Sequence, residues 1–306
     1  MSIIQSATQR HSLPSHFPYV SIIISVYNAM STLSLCLEAI GNLDYPKDRF
    51  EVIVVDNGST DGSDEVAMRF GAKVIYETTI KSSYAARNKG IKEAKGELLA
   101  FTDSDCIVTP GWLKHLVKEW DDKSIGCFAG EIEAYQPSTL IEKFSDRAQI
   151  LKQKWTLNNS YLPYTQTANS AYRKEVFDQI GLFIPEMISG GDAEIAWRMQ
   201  KKLGMKIKFI PEALVYHRHR VSVKGLYKQF KRYEHGKLLW KRHYPDYPLP
   251  TVRQRRAELW KAVAAVIVTL PGNLKKYMQG RMDIVDLASP FLRLVMRFGT
   301  LAARWR

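Results

Sequence analysis

Cysteine is scarce: Cys36, Cys106 and Cys127 are the only three in 306 residues. An odd number with no Cys-x-x-Cys spacing supports neither a disulfide framework nor a zinc site, and a reducing compartment is the expected setting. Long apolar runs are also missing. The longest, Ala262 to Leu270, falls far short of the ~20 residues that a membrane-spanning helix needs. The polar stretch Met1 to Pro18 has no apolar centre of the signal-peptide type, so neither secretion nor a membrane span is expected. Glycine-rich fingerprints are lacking too. After the first strand-like run, Ser25-Val26-Tyr27-Asn28-Ala29-Met30 contains no Gly-x-Gly-x-x-Gly, which argues against a dinucleotide-dependent oxidoreductase. It also contains no glycine-rich basic loop of the kind found in nucleotidyltransferases. No internal repeat and no low-complexity segment is present.

Acidic residues run short in one region only. Residues 198–306 carry 25 Lys+Arg against 6 Asp+Glu, a net of +19, whereas residues 1–197 carry 19 against 25, a net of −6. Such a lopsided chain implies an anionic partner for its C-terminal third: nucleic acid, a phospholipid surface or a polyphosphate substrate. The remaining composition, 45% hydrophobic and 25% charged, is that of an ordinary globular protein, and the length allows one large domain with an appendage.

From Val20 the pattern alternates. Strand-like runs at 20–26, 51–56, 73–76 and 98–102 are separated by segments with helical spacing or turn residues, which predicts a mainly parallel α/β sheet with right-handed crossovers. Leu33, Leu37 and Ile40 share one helix face. A helix is expected over Ser82–Lys95, capped by Ser82 or Ser83 and ended by Gly96. Further helices are expected at 111–120, 140–154 and Ala193–Lys202, with a strand near 125–133. Asp192 is a natural N-cap for the last of these helices. From Leu226 the chain reads as helical and basic. Over 284–305, Ile284, Leu287, Phe291, Leu294, Phe298 and Leu301 share a face, with Arg293, Arg297 and Arg304 opposite. Such a helix suits either a membrane interface with anionic lipid or a cap on the core.

Polar and acidic residues gather at the carboxyl ends of the expected strands, the usual ligand crevice of open α/β sheets. They are Tyr27-Asn28, Asp56, and Asp103 with Asp105; Asp192 joins them at a helix start. The oxygen-rich pair Asp103/Asp105 suits Mg²⁺ or Mn²⁺, ions that complete their shells with water and substrate phosphates.

Five segments, Val20 to Asn28, Glu51 to Ser63, Ala86-Arg87-Asn88-Lys89-Gly90, Phe101-Thr102-Asp103-Ser104-Asp105 and Gly190-Gly191-Asp192-Ala193-Glu194, together resemble glycosyltransferase family 2 over about residues 18–235. The resemblance implies a GT-A fold, a Rossmann-like α/β domain at 18–235, flanked by an N-terminal tail (1–17) and a helical basic extension (236–306). It implies a nucleotide-sugar donor, UDP-linked by default, moved with inversion to a lipid-linked or glycan hydroxyl in cell-surface glycan synthesis. Tyr27 and Asp56 would surround the base and ribose, Asn28 and Ser104 would belong to the donor-binding set, Asp103 would reach the ribose or a metal-bound water or join the metal ligands, and Asp105 would ligate Mg²⁺ or Mn²⁺. His217, in Val215-Tyr216-His217, matches a further metal-ligand position. Arg87 and Asn88 match donor-site or loop-bracing positions, and Asp192 matches the catalytic base.

Three departures stand out. Gly191 replaces the Glu of a common Glu-Asp pair. Ser25 stands where Pro is frequent. Gln229-Phe230-Lys231-Arg232-Tyr233 echoes the Gln-x-x-Arg-Trp element of processive synthases, with Lys228 and Arg232 expected on a solvated helix face. The expected enzyme adds one or few sugars at the cytoplasmic face of a membrane and has no nucleic-acid partner. The competing readings are a nucleotidyltransferase and a non-catalytic basic module that binds membrane or nucleic acid.

Overall fold

A computed structural model describes residues 17–303. The expected tail 1–17, apart from Phe17, and Arg304 lie outside these residues.

The expected α/β sheet is present and has eight strands among the described residues. In chain order these are β1 (Val20–Val26), β2 (Phe50–Asp56), β3 (Lys73–Tyr76), β4 (Leu98–Asp103), β5 (Cys106–Val108), β6 (Ile125–Ala134), β7 (Asn169–Arg173) and β8 (Lys206–His217). They lie in the order β3-β2-β1-β4-β7-β6-β8-β5. Strands β3, β2, β1 and β4 are parallel neighbours, β7 runs antiparallel between β4 and β6, and β8 pairs parallel with β6 and antiparallel with β5. Ile22, Ile23, Ile24, Val54, Val55, Leu99 and Phe101 are fully buried, because helices cover both faces of the sheet and each strand can be apolar on both sides.

Helices α1 (Met30–Gly41), α2 (Ser63–Arg69) and α3 (Ser83–Glu93) provide the crossovers of the N-terminal half. Ser82 caps α3 by accepting from the Tyr84 N–H, as expected. In the second half follow α4 (Trp112–Leu116), α5 (Leu140–Arg147), α6 (Gln153–Leu157), α7 (Lys174–Ile180) and α8 (Gly191–Leu203). The helix expected over 140–154 is therefore two short helices. Gln149 (φ 54°) and Leu151 (φ 74°) take left-handed backbone between them. The fully buried Gln153 side chain then donates to the Asn169 carbonyl at 2.9 Å and the Thr165 hydroxyl at 3.0 Å, which fixes the chain where a continuous helix would have carried it past β7.

The chain ends in α9 (Val223–His243), α10 (Val252–Met278) and α11 (Ile284–Ala302). The expected division after residue 235 falls inside α9. The apolar face expected on α11 is not the one that packs. Val285, Leu292 and Gly299, one heptad apart, are buried, and Val285 and Leu292 join Ile141, Phe144 and Leu226 in a small core, while Ile284, Phe291 and Phe298 stay exposed. Gly299 decides the side: a Cβ there would stand 2.7 Å from the Tyr227 carbonyl oxygen, so only a glycine face lets α11 approach α9 this closely.

Candidate active site

Register places the candidate residues at one edge of the sheet. Val26 pairs with Asp56 and Ser25 with Asp103, so β1, β2 and β4 finish level, with Tyr27, Asp56 and Asp103 side by side at their carboxyl ends. Asp56 is buried. Its Oδ1 accepts from the N–H groups of Gly58 and Ser59 at 2.9 and 2.8 Å, closing the turn after β2. Its Oδ2 has no partner among the described residues, leaving one acceptor available to a ligand. Asn28, at φ 49°, braces the same turn: its N–H donates to Ser59 Oγ at 3.0 Å and its Oδ1 accepts from the Thr60 N–H at 2.9 Å. Beside it the Tyr27 ring is 57% exposed, with Lys81 Nζ 5.9 Å from its centroid. An open aromatic face and an unused carboxylate oxygen form a setting in which a planar base can stack and donate.

Asp103 ends β4, and one of its oxygens is engaged: Arg87, buried in α3, donates to it at 2.6 Å. The pairing holds the guanidinium charged despite its burial. Asn88, the next residue, turns away and forms a two-way bridge to the backbone of Phe183, donating to its carbonyl at 2.8 Å and accepting from its N–H at 3.0 Å. Its amide is thus fully engaged in bracing the loop after α7.

Ser104 and Asp105 form the turn between β4 and β5, and neither is fully buried. Cys106 pairs with His217 across β5 and β8, and this register brings Asp105 Oδ1 within 3.4 Å of His217 Nε2. The Arg218 N–H donates to the Asp105 carbonyl at 3.0 Å and locks the approach. His217 is buried, and its Nδ1 has no partner among the described residues. The Cys106 sulfur lies within 4.8 Å of both. Burial and the two neighbouring aspartates push its thiol pKa well up, and a protonated sulfur is a poor ligand for a hard cation. A carboxylate and an imidazole 3.4 Å apart at a strand end, with Asp103 two residues away, fit Mg²⁺ or Mn²⁺; the thiol does not contribute.

Asp192 lies on the second residue of α8. It does not cap that helix: the N-cap is Gly190, in left-handed backbone, with no side-chain cap. The carboxylate is held from other directions. Tyr84 in α3 donates its hydroxyl to Oδ1 at 2.7 Å, and the Thr167 N–H donates to Oδ2 at 3.2 Å. Burial, followed by the charge of Asp192, raises the Tyr84 pKa well above its ordinary value, which keeps the phenol a donor. Trp240 in α9 donates to the Gly190 carbonyl at 2.7 Å and fixes the loop that presents Asp192.

Two short chains of contact tie this carboxylate to the end of β4. In one, Arg87 stacks on the Tyr84 ring at 5.4 Å and binds Asp103. In the other, Thr102 donates to the Ala168 carbonyl at 3.1 Å, next to Thr167. Sequence reasoning missed Tyr84, Thr167 and Trp240. Tyr84 could have been noticed one turn before Arg87 on α3; nothing in the local pattern singles out the other two. Lys228 and Arg232 are exposed, and Gln229 donates to the Tyr233 hydroxyl at 2.8 Å within α9.

Comparison with known proteins bears on the family and the fold. A glycosyltransferase of Haloferax volcanii, AglE, is 33% identical over 227 residues, covering 72% of this chain and 73% of that one. A pre-mycofactocin glycosyltransferase of Mycobacterium tuberculosis is 28% identical over 233 residues, but the match spans only 48% of its length. Among solved structures, a mannosyltransferase of Pyrobaculum calidifontis, captured with GDP-Man and Mn²⁺, superposes with a TM-score of 0.65 at 18% identity, over 98% of this chain and 91% of that one, and shares the fold. Residues 21–181 match the model of Glycosyl transferase family 2. With the expected strand-end residues gathered at one sheet edge, the chain is a glycosyltransferase and belongs to this family.

Proposed function

We propose that the protein moves a single sugar from a nucleoside diphosphate sugar to a hydroxyl group of a lipid-linked or glycan acceptor, with inversion at the anomeric carbon, in cell-surface glycan synthesis at the cytoplasmic face of a membrane. The observation that carries this reading is the convergence on one sheet edge of a donor-side set (Tyr27, Asp56, Arg87–Asp103, Asp105–His217) and a second, separately held carboxylate, Asp192.

In this reading Tyr27 stacks on the base and Asp56 Oδ2 accepts from it or from the ribose. Asn28 shapes the turn beneath, while Ser104 and Asp103 face the ribose and diphosphate. A divalent ion held by Asp105 and His217 would offset the charge that develops on the departing diphosphate. Arg87 keeps Asp103 oriented. Asp192, steadied by Tyr84 and Thr167, accepts the proton of the acceptor hydroxyl as its oxygen bonds to the anomeric carbon; the bond to the diphosphate breaks and its electrons leave with the phosphate oxygen. UDP-sugars are the expected donors. GDP-Man, bound by the structural neighbour, belongs in the same screen.

The test is a thermal-shift screen of UDP- and GDP-sugars with Mn²⁺, with Mg²⁺ and with neither, followed by NMR of the product's anomeric configuration. A donor that stabilises the protein only with the ion, and a product of inverted configuration, support the reading. Retained configuration, or no response to any sugar nucleotide, overturns it.

A further inference from the structure

The C-terminal helices leave an apolar surface that the catalytic reading does not use. On α10, Trp260, Ala264, Ile267, Pro271, Leu274 and Met278 recur at helical spacing and are all exposed, Trp260 at 70%, Ile267 at 67% and Met278 at 77%. They form one stripe about 27 Å long. Val268, beside it, is 78% exposed, and Val266 is the only buried residue of the helix. The Thr269 hydroxyl is satisfied inside the helix, donating to the Ala265 carbonyl at 2.8 Å, so it can enter an apolar medium at little cost. An apolar stripe of this length is not an ordinary monomer surface.

Charge decides what covers it. Residues 252–302 hold nine Lys+Arg and three Asp+Glu. Each of the three carboxylates is paired within the protein: Glu258 with Lys261 and Arg297, Asp283 and Asp286 with Arg147. The surplus around the stripe, including Arg253, Lys275, Lys276 and Arg281, is therefore positive. A second copy of the same face would set like charges against each other. A nucleic acid would leave Ile267, Leu274 and Met278 without apolar partners. An anionic bilayer satisfies both features, accepting the aliphatic side chains below the headgroups and the cations at their level.

We propose that α10 is the membrane-docking element, lying flat in the interface of anionic lipid through the Trp260–Met278 stripe. No helix among the described residues is long and apolar enough to cross a bilayer, so the helix lies in the surface. The inference rests on the peripheral-membrane part of the proposed function and narrows it to one helix: α11, whose sequence suits either a membrane interface or a cap on the core, packs on the protein through its Val285–Leu292–Gly299 face.

The test is flotation of the full-length protein with vesicles of phosphatidylcholine alone or with 30% phosphatidylglycerol, for the natural chain and for the triple variant Trp260→Ser, Ile267→Ser, Leu274→Ser. The expected result is salt-sensitive binding to the anionic vesicles that weakens about tenfold or more in the variant, with melting temperature and sugar-nucleotide binding unchanged because the three side chains are exposed. Equal binding by both proteins overturns the α10 assignment and leaves the peripheral-membrane reading standing. No binding by the natural chain overturns both. Self-association of the natural chain that is lost in the variant, without vesicle binding, identifies a second copy as the occupant and overturns the proposal.

Discussion

The Tyr84 hydroxyl donates to Asp192 Oδ1 at 2.7 Å, and the same ring lies 2.8 Å from where a Cβ on Gly191 would stand. The phenol therefore fills the space beside Asp192 and also aims the carboxylate. Removing only the hydroxyl, by Tyr84→Phe, keeps the ring and loses a hydrogen bond to a charged group, worth about 1.5–3 kcal/mol. The expected outcome is a fall in kcat of roughly ten- to a hundredfold with donor KM little changed, measured by steady-state kinetics. A rise in donor KM at constant kcat would place Tyr84 on the donor side instead.

Asp192→Asn preserves the shape of the side chain and removes its capacity to take a proton. Transfer should drop by roughly 10²–10⁴-fold. Donor binding, read by calorimetry with Mn²⁺ present, should stay close to that of the natural protein, because the direct partners of Asp103, Asp56 and Asn28 are Arg87, Ser59 and Thr60 rather than Asp192, and an isosteric amide keeps the Tyr84 contact. Full turnover in this variant would remove Asp192 from the role of base.

Legibility in the sequence was uneven for physical reasons. Strands β1, β2 and β4 were readable almost to the residue, because they are largely buried apolar runs bounded by charge or turn residues, and the edge strand β3 because its short run Lys73-Val74-Ile75-Tyr76 lies between turns. The register that sets Asp56 and Asp103 beside Tyr27 follows from parallel pairing of those strands. By contrast, the break at Gln149 and Leu151 depends on Gln153 finding Thr165 and Asn169, contacts made only in the folded chain. The face by which α11 packs differs from the apolar face legible in the sequence, because Gly299 carries no hydropathy yet sets how closely two helices approach. Tyr84 was overlooked for a similar reason: its partner lies 108 positions away.

Asp105→Ala and His217→Ala probe the cation site separately. In the natural protein, donor plus Mn²⁺ at about 100 times Kd should stabilise by about 2.7 kcal/mol, a rise in melting temperature of roughly 4–8 °C. Asp105→Ala should abolish the Mn²⁺-dependent part of that rise. His217→Ala should weaken it and shift the midpoint to higher Mn²⁺, since one ligand of the set remains. An unchanged Mn²⁺ titration in both variants would show that the ion, if used, is held elsewhere.

Arg147 on α5 grips both acidic residues at the start of α11, Asp283 and Asp286, the latter at 2.8 Å. Asp283 also caps α11 by accepting from the Asp286 N–H, and the arginine holds its carboxyl well below the usual carboxylate range. Its lowered folded pKa means that this contribution is present above the ordinary carboxylate pKa and is lost only as pH falls through the depressed value, so the contact should persist through mildly acidic pH. Arg147→Ala should loosen the start of α11 and speed tryptic cleavage at Arg281, which precedes the helix by three residues. Cleavage at the natural rate would show that the apolar contacts of Val285 and Leu292 hold the helix unaided.

Gly191→Ala tests whether the missing acidic neighbour of Asp192 reflects the aromatic ring beside it. The new methyl group would meet Tyr84 Cε1 and Cζ at 2.8 Å, inside contact distance. Neither side yields easily: Tyr84 is buried against Phe183 at 5.5 Å between ring centroids and under Arg87, while the Gly190 carbonyl is held by Trp240. The expected cost is about 1–3 kcal/mol of stability, read by urea denaturation, together with reduced transfer as Asp192 is displaced. Removing the ring should relieve the clash. In a double-mutant cycle with Tyr84→Ala, the penalty for Gly191→Ala should shrink, giving a favourable coupling of about 0.5–3 kcal/mol. Strictly additive effects would show that the two positions do not share this space, and the absence of a side chain at 191 would need another cause.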